Sequence, residues 1–309
     1  LERRRAVRKF QAKLRIITPL ATTFQSDTLF GEFCWHFSFL YGSDRLKELL
    51  SKGAFVVFSD IFPEGRLPMP KFPVKGGFDS IESYKKFKEL KKKRFVGVET
   101  FKEALEKSST FEEFCKELYS LAEQEKDESF FKQSSRVRVA INRLTGTAYE
   151  GKLFQVEELF PKVKFFTLYG LFEPELISAD EVKATLEFLG LSGFGAKKSS
   201  GAGKFEIVEF KEEWELPERG ENWFVSLSTG LPEGGEVEEF YADFFTKFPK
   251  HGREVARPEI FKEPLILSRS GSTFKAREKK EFYGSLVEIS APALKGHKHS
   301  RVVVPLFVG

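Results

Sequence analysis

The sequence predicts an α+β protein: two β-α-β units separated by a long insertion, then a smaller strand-rich domain. Three observations predict it. Two-residue alternation and helix-length apolar segments take turns before residue 63 and again after residue 160. The stretch between them opens with four prolines from Pro63 to Pro73, which interrupts that order. A chain of 309 residues is also longer than most single cores allow.

The elements follow in order. In "VRKFQAKLRII", residues 7–17, Phe10, Ala12, Leu14 and Ile16 face one way while Lys9, Gln11, Lys13 and Arg15 face the other. That is a strand with one buried and one basic face. Ser26 and Asp27 stand where an N-cap would open "TLFGEFCWHFSFLYG", a helix apolar nearly all round and therefore expected to be buried. "DRLKELLSKG" is a second helical piece ending at Gly53, and "AFVVFSDIF" is a strand. In the insertion, "KKFKELKKKR" carries seven basic residues against one Glu at helical spacing, the pattern of a solvated helix face. Residues 99–129 read as an acidic amphipathic helix pair.

"SSRVRVAINRLTGTAYEGKLFQVEELF" gives two extended runs joined through Thr145 to Gly151, the second run expected to be the shorter. Arg136 and Arg138 share one side of the first run, and no acid lies between Phe131 and Tyr149. Two arginines on one face suit phosphate. "VKFFTLYGLF" is a buried strand, and Ser178 with Glu181 forms a capping box that opens a helix through Leu189. After the glycine-rich segment comes the strand "KFEIVEF". Strand, helix, strand, insertion, strand, helix, strand is the order of a ferredoxin-like fold, the fold of RNA-recognition modules. The first domain is thus 1–210, with its insertion at about 63–160. The second, 211–309, opens on an acidic stretch, residues 211–243, with ten Asp or Glu against two basic residues. It contains the strands "WFVSLSTGL", "PLILSRSGSTF", "YGSLVEIS" and "SRVVVPLFV".

The segment "LSGFGAKKSSGAGKFEI", residues 191–207, asks for a ligand. Four glycines, three lysines and three serines fall between Ser192 and Phe205 without an acid. Backbone N–H groups freed by glycine make concave anion sites, and lysines add charge. The segment lies after a helix and before a strand, the reverse of a P-loop, and lacks G-x4-G-K-[ST], which argues against a nucleotide-binding enzyme. A flexible, solvated connection is the alternative.

"SGFGAKKSSGAGKF" resembles the glycine-rich loop of the RAMP superfamily, the RNA-binding proteins of CRISPR systems. "TPLATTFQSDTLFGEF", "NRLTGTAYEGKLFQVEEL", "LILSRSGSTF" and "VSLSTGLP" resemble further motifs of one subgroup, in the right order. That subgroup is the Cas5-like fourth subunit of type III-A (Csm) interference complexes. The resemblance implies two ferredoxin-like (RRM-like) domains, with the inserted hairpin projecting as a thumb that crosses the guide. It implies a non-catalytic subunit in antiviral defense that holds the 5′ handle of the CRISPR RNA. Its implied partners are that RNA, the large polymerase-like subunit, the backbone RAMP subunit and, indirectly, target RNA. The implied RNA contacts are Ser26 in the opening motif; Arg136, Arg138, Asn142, Arg143 and Thr145 on the hairpin; Gly193, Gly195, Lys197, Lys198, Ser199, Ser200, Gly201 and Gly203 in the loop; and Arg269, Ser270 and Ser272 in the second domain. The equivalent type III-B (Cmr) subunit is an alternative.

A metal-independent endoribonuclease processing precursor CRISPR RNA is the rival reading. Its material is four histidines. His36 sits mid-helix between Trp35 and Phe37 as a core residue, His251 in a charged loop, and His297 and His299 in the basic "KGHKHS". No cofactor or metal set is legible, because Cys34 and Cys115 form no zinc spacing and read as reduced core residues of a cytoplasmic protein. No apolar run has the length of a membrane span, and no signal peptide is visible. The 36 phenylalanines fill cores, with a surplus expected, like the acidic stretch, on contact surfaces.

Overall fold

The computed structural model describes residues 7–72, 80–125, 129–214, 216–217, 222–249, 263–289, 299–303 and 307–308. The chain opens with β1 (Arg8–Ile16), α1 (Ser26–Tyr41), α2 (Ser43–Ser51) and β2 (Val56–Pro63). The insertion holds β3 (Arg66–Pro68), α3 (Ile81–Lys92), β4 (Phe95–Gly97), α4 (Val98–Lys107), α5 (Phe111–Gln124), β5 (Phe131–Ile141) and β6 (Ala148–Pro161). Then come β7 (Phe166–Phe172), α6 (Ala179–Ser192) and β8 (Phe205–Lys211). The remainder supplies β9 (Trp223–Ser226), β10 (Val237–Tyr241), β11 (Phe244–Lys247), β12 (Leu265–Ser268), β13 (Thr273–Ala276), β14 (Ser285–Ile289), β15 (His299–Val303) and β16 (Phe307–Val308). The fold is mixed α+β with several small sheets.

The first sheet has the order β2-β7-β1-β8 and is antiparallel throughout. The alternation of β1 does what its period requires: Phe10, Ala12 and Leu14 are fully buried. Its other face is neutralised at two points, with Lys13 2.5 Å from Glu64 and Arg15 2.6 Å from Glu206. Leu29, Phe30, Phe33 and Phe37 of α1 and Val182, Leu186 and Leu189 of α6 enter the same core. Phe39 and Leu40, at the end of α1, are exposed, so that helix is buried on one side rather than all round. The capping box of α6 is present: the Ser178 hydroxyl accepts from the Glu181 amide while the Glu181 carboxylate accepts from the Ser178 amide. The helix runs three residues beyond Leu189.

The start of α1 departs from the sequence expectation. Its N-cap is Gln25, with no capping side chain, and Ser26 and Asp27 are already helical. The cap comes from another strand: Asp60 Oδ1 accepts the Ser26 amide at 2.8 Å. Asp60 reaches it because β2 is irregular between Phe58 and Ile61, which turns Ser59 and Asp60 out of the regular ladder. The same irregularity receives residues 226–230. The Asp60 amide donates to the Leu227 carbonyl at 2.8 Å, and the Ser228 hydroxyl donates to the Phe58 carbonyl at 2.7 Å. Although β2 ends its sheet, every residue in it is therefore buried. Leu216, Val225 and Leu227 join the first core, so that core continues past residue 210.

The second sheet has the order β10-β13-β9-β16. Phe224, Phe274 and Phe240 pack with Tyr283 on one side of it. Residues 250–262 and 290–298, which include His251 and His297, lie outside the described residues. The acidic stretch is partly consumed within the chain: Glu212 pairs with Arg8, Glu236 with Lys280, Glu238 with Lys275 and Asp243 with Lys71. The described helices include none long and apolar enough to cross a membrane.

Candidate nucleic-acid interface

The glycine-rich loop is ordered by the segment that follows β1. Gly203 donates to the Pro19 carbonyl at 2.9 Å, Lys204 donates to the Thr18 hydroxyl at 2.8 Å, and Ala196 donates to the Thr22 hydroxyl at 3.0 Å. Phe194 is fully buried and stacks on Phe24 at 3.9 Å, pinning the loop's root. Between these anchors, Lys197 takes the left-handed conformation (φ 61°) and a short 3-10 turn covers Lys198–Ser200. The amides of Lys197, Lys198 and Ser199 find no acceptor among the described residues. Ser199 and Ser200 are exposed. The two central lysines differ. Lys198 is paired with Glu32 of α1, while the Lys197 ammonium lies over the ring of Phe154 on β6, 5.0 Å from its centre. Gly195 stands at φ +75°, and a Cβ there would lie 2.9 Å from Thr22 Cβ, so substituting it strains the backbone as well as the loop surface.

β5 and β6 form a two-stranded ladder that starts from the body and ends exposed. Its base is tied by a reciprocal pair of backbone bonds between Leu20 and Leu159, at 3.0 and 2.8 Å. The second run, 14 residues, is the longer rather than the shorter, because the strand begins at Ala148, which pairs with Ile141 across a register irregularity that leaves residues 149–152 outside the regular ladder. The turn is confined to residues 142–147. It is held by the Asn142 side chain accepting from the Leu144 amide at 2.9 Å and by the Thr145 hydroxyl beside that of Thr147. Arg143 and Thr145 are exposed at this tip, and Leu144 is 96% exposed. Arg136 and Arg138 do share a face, but that face holds an acid. Glu158, across the ladder and nearly fully buried, accepts from Arg138 at 2.7 Å and has Arg136 Nε 3.1 Å away. Both guanidiniums are thereby drawn to the hairpin's base.

The segment "VSLSTGLP" lies at the start of α1. The Ser26 hydroxyl accepts from the Thr229 amide at 2.8 Å, and Ser26 is buried. Thr229 also donates through its hydroxyl to Asp60 at 2.9 Å. Burial pushes the Asp60 carboxyl above the usual aspartate range, and these hydrogen bonds oppose that push. Lys247 of β11 reaches Asp27 at 2.6 Å and Thr28 at 2.7 Å. Ser272 is buried, its hydroxyl donating to the Arg269 carbonyl at 2.6 Å. Arg269 itself is exposed, its guanidinium 4.5 Å from the centre of the Phe245 ring.

The loop, the segment after β1 and the hairpin base therefore meet in one place. A profile of the RAMP superfamily matches residues 25–206. The chain belongs to the RAMP superfamily. This RAMP protein is similar to the CRISPR system protein Csm4 of Thermococcus onnurineus (strain NA1), 27% identical over 221 residues that cover 67% of this chain and 70% of the relative. Among solved structures it resembles a chain of a Csm3-Csm4 subcomplex from a type III-A CRISPR-Cas interference complex (TM-score 0.60, 15% identity, 97% and 98% of the two chains). It also resembles a chain of a Csm1-Csm4 cassette in complex with pppApA (TM-score 0.58, 20% identity, 97% and 98%).

Of the residues singled out from sequence, the RAMP loop residues and the hairpin tip lie at the surface or directly beneath it. Ser26 and Ser272 are inside, engaged by the chain's own groups. Sequence reading missed Thr18 and Thr22, which order the loop, and Phe154, which touches it. The two threonines lie within the opening motif, and hydroxyls at turns were the available signal. Glu158 had no signal, because its partners are 20 or more residues away on another strand.

Proposed function

We propose that this chain is a non-catalytic guide-RNA subunit of a type III-A effector complex, holding the 5′ handle of the CRISPR RNA in the cytoplasm. In that complex it docks the large polymerase-like subunit and the backbone RAMP subunit. It has two ferredoxin-like units, 1–210 and 211–309, and its β5–β6 hairpin is the thumb. The strand order β2-β7-β1-β8 with α1 and α6 supports the first unit. The observation that carries the function is the junction of three family motifs around a loop whose amides at Lys197, Lys198 and Ser199 have no acceptor among the described residues, with the exposed cation of Lys197. The similarity to Csm4, and the pairing of Csm4 with Csm1 and Csm3 in the structures it resembles, support the partners. His36 is buried, with its Nδ1 2.7 Å from the Glu32 carbonyl, which supports a non-catalytic reading.

A gel shift of handle-containing against handle-free RNA tests the proposal. The handle RNA should bind more tightly and be recovered uncut, and equal weak binding of both would refute it. Within that assay the two lysines should separate. Lys197→Ala should lower affinity for all sequences and flatten the log–log salt dependence by about 0.7, the loss of one single-strand phosphate contact. Lys198→Ala should change the slope less, because Glu32 already neutralises that ammonium. Equal effects of the two would place the Glu32 pair outside the RNA-bound state.

The hairpin gives a second test. Replacing Thr145–Glu150 by a two-residue turn removes only exposed residues, so the melting temperature should hold. Base-specific chemical probing of the guide near the handle should change in the assembled complex. Unchanged probing with a lowered melting temperature would make the hairpin purely structural.

A further inference from the structure

A cleft of about 510 Å³ lies between α5 and the second sheet, and none of its walls comes from the glycine loop or the β5–β6 hairpin. Strand register builds its floor. Trp223 pairs with Lys275, and Lys275 with Glu239, so the three stand in a row across β9, β13 and β10. Tyr241, two residues from Glu239, shares that face. The opposite face carries Phe224, Phe274 and Phe240 into an apolar cluster. One side of this sheet is thus an ordinary core, while the other presents aromatic rings among charges.

The rings are aligned. Phe111 of α5 stacks on Trp223 at 3.7 Å with 3° between planes, and Tyr241 lies within 10° of the same plane at 6.1 Å. Tyr119 forms the wall above, edge-on to Phe72. Glu239 already accepts the Tyr241 hydroxyl at 2.5 Å, and a carboxylate with oxygen lone pairs remaining accepts N–H groups. Lys116 is exposed at the rim, and Lys275, held 2.7 Å from Glu238, stands on the floor. Flat aromatic surfaces, an acceptor for ring or amino N–H, and ammonium groups beside them are what a base with its phosphate requires. The volume falls in the range of roughly 300–1,000 Å³ usual for small-ligand sites.

We propose that this cleft binds a nucleotide, its base beside the Phe111–Trp223 stack and against the Tyr241 ring, with an edge toward Glu239 and its phosphate toward Lys116. The assignment stands apart from the guide-RNA reading, since the two sites share no wall residue. The chain has three tryptophans, so Trp35→Phe with Trp214→Phe leaves Trp223 as the sole reporter. This full-length variant is titrated with AMP, UMP, octameric oligo(A) and ribose 5-phosphate. The expected result is saturable quenching by the nucleotides and the oligomer, none by ribose 5-phosphate, and at least tenfold weaker binding after Lys116→Glu. Lys116 is exposed, so that change leaves the fold intact. Comparable AMP and oligo(A) affinities identify a free nucleotide as the ligand, and much tighter oligo(A) identifies a single strand. Absence of saturable quenching, equal quenching by ribose 5-phosphate, or indifference to Lys116→Glu overturns the proposal. The same Lys116→Glu chain should still shift handle RNA. Absence of a handle shift from the Trp35→Phe, Trp214→Phe chain, with its Trp223 response intact, would count against the guide reading alone.

Discussion

Asp60→Ala should destabilise the protein by about 3 kcal/mol, while Asp60→Asn should cost less than about 1 kcal/mol. The aspartate accepts the Ser26 amide at 2.8 Å, the Thr229 amide at 3.2 Å and the Thr229 hydroxyl at 2.9 Å, all in the interior. Alanine strands these donors, and an unsatisfied buried donor costs about 1–3 kcal/mol. Relief from burying a carboxylate offsets part of that sum. Asparagine keeps an acceptor oxygen for both amides, and the Thr229 hydroxyl can rotate. Urea unfolding of the three proteins measures this, and equal stability of the alanine variant would mean the network contributes nothing.

The same residue sets a pH signature. Burial raises the Asp60 carboxyl above its unfolded value, so the folded chain holds that proton where the unfolded chain has released it. Stability from this group is therefore present below the ordinary aspartate value of about 4 and is lost as pH rises through the folded value. Relative to Asp60→Asn, the wild type should lose stability over that window. A flat difference would show that the hydrogen bonds cancel the burial.

Gly203→Ala should cost about 3 kcal/mol or more and abolish tight RNA binding, whereas Gly201→Ala should cost only about 1–2 kcal/mol, the usual penalty of a left-handed L-residue. Both glycines have positive φ, +77° and +85°. They differ in surroundings. A Cβ on Gly203 would fall on the Phe194 backbone, while one on Gly201 meets nothing within 4 Å among the described residues. Relieving the clash at Gly203 breaks its bond to Pro19 and the Phe194–Gly203 bond, both 2.9 Å, which hold the loop closed. Thermal unfolding and the gel shift read the pair together. Similar behaviour of the two variants would show that backbone handedness, not close approach, governs the loop.

What the sequence by itself determined is most of the elements of the first 210 residues and their order; β3, β4, β10 and β11 went unread, and "PLILSRSGSTF", read as one strand, is β12 and β13 in two different sheets. The alternation in β1, the Ser178–Glu181 box and the buried run of β7 are local patterns, so each is legible without its neighbours. The glycine loop was legible too, because its composition suits no helix or strand. Tertiary structure decided where charge and polarity are spent. Arg136 and Arg138 looked free because no acid lies near them in sequence, yet strand pairing brings Glu158 beside them. Ser26 looked like a cap with a hydroxyl to offer, yet the irregularity in β2 supplies Asp60 and folding brings Thr229 to that hydroxyl. Lys197 and Lys198 are neighbours of the same type, and only the packing of α1 and β6 makes one an ion-pair partner of Glu32 and the other an exposed cation over Phe154. Periodicity tells which side of its own element a residue faces. What stands on that side is set by register and packing between segments far apart in the chain.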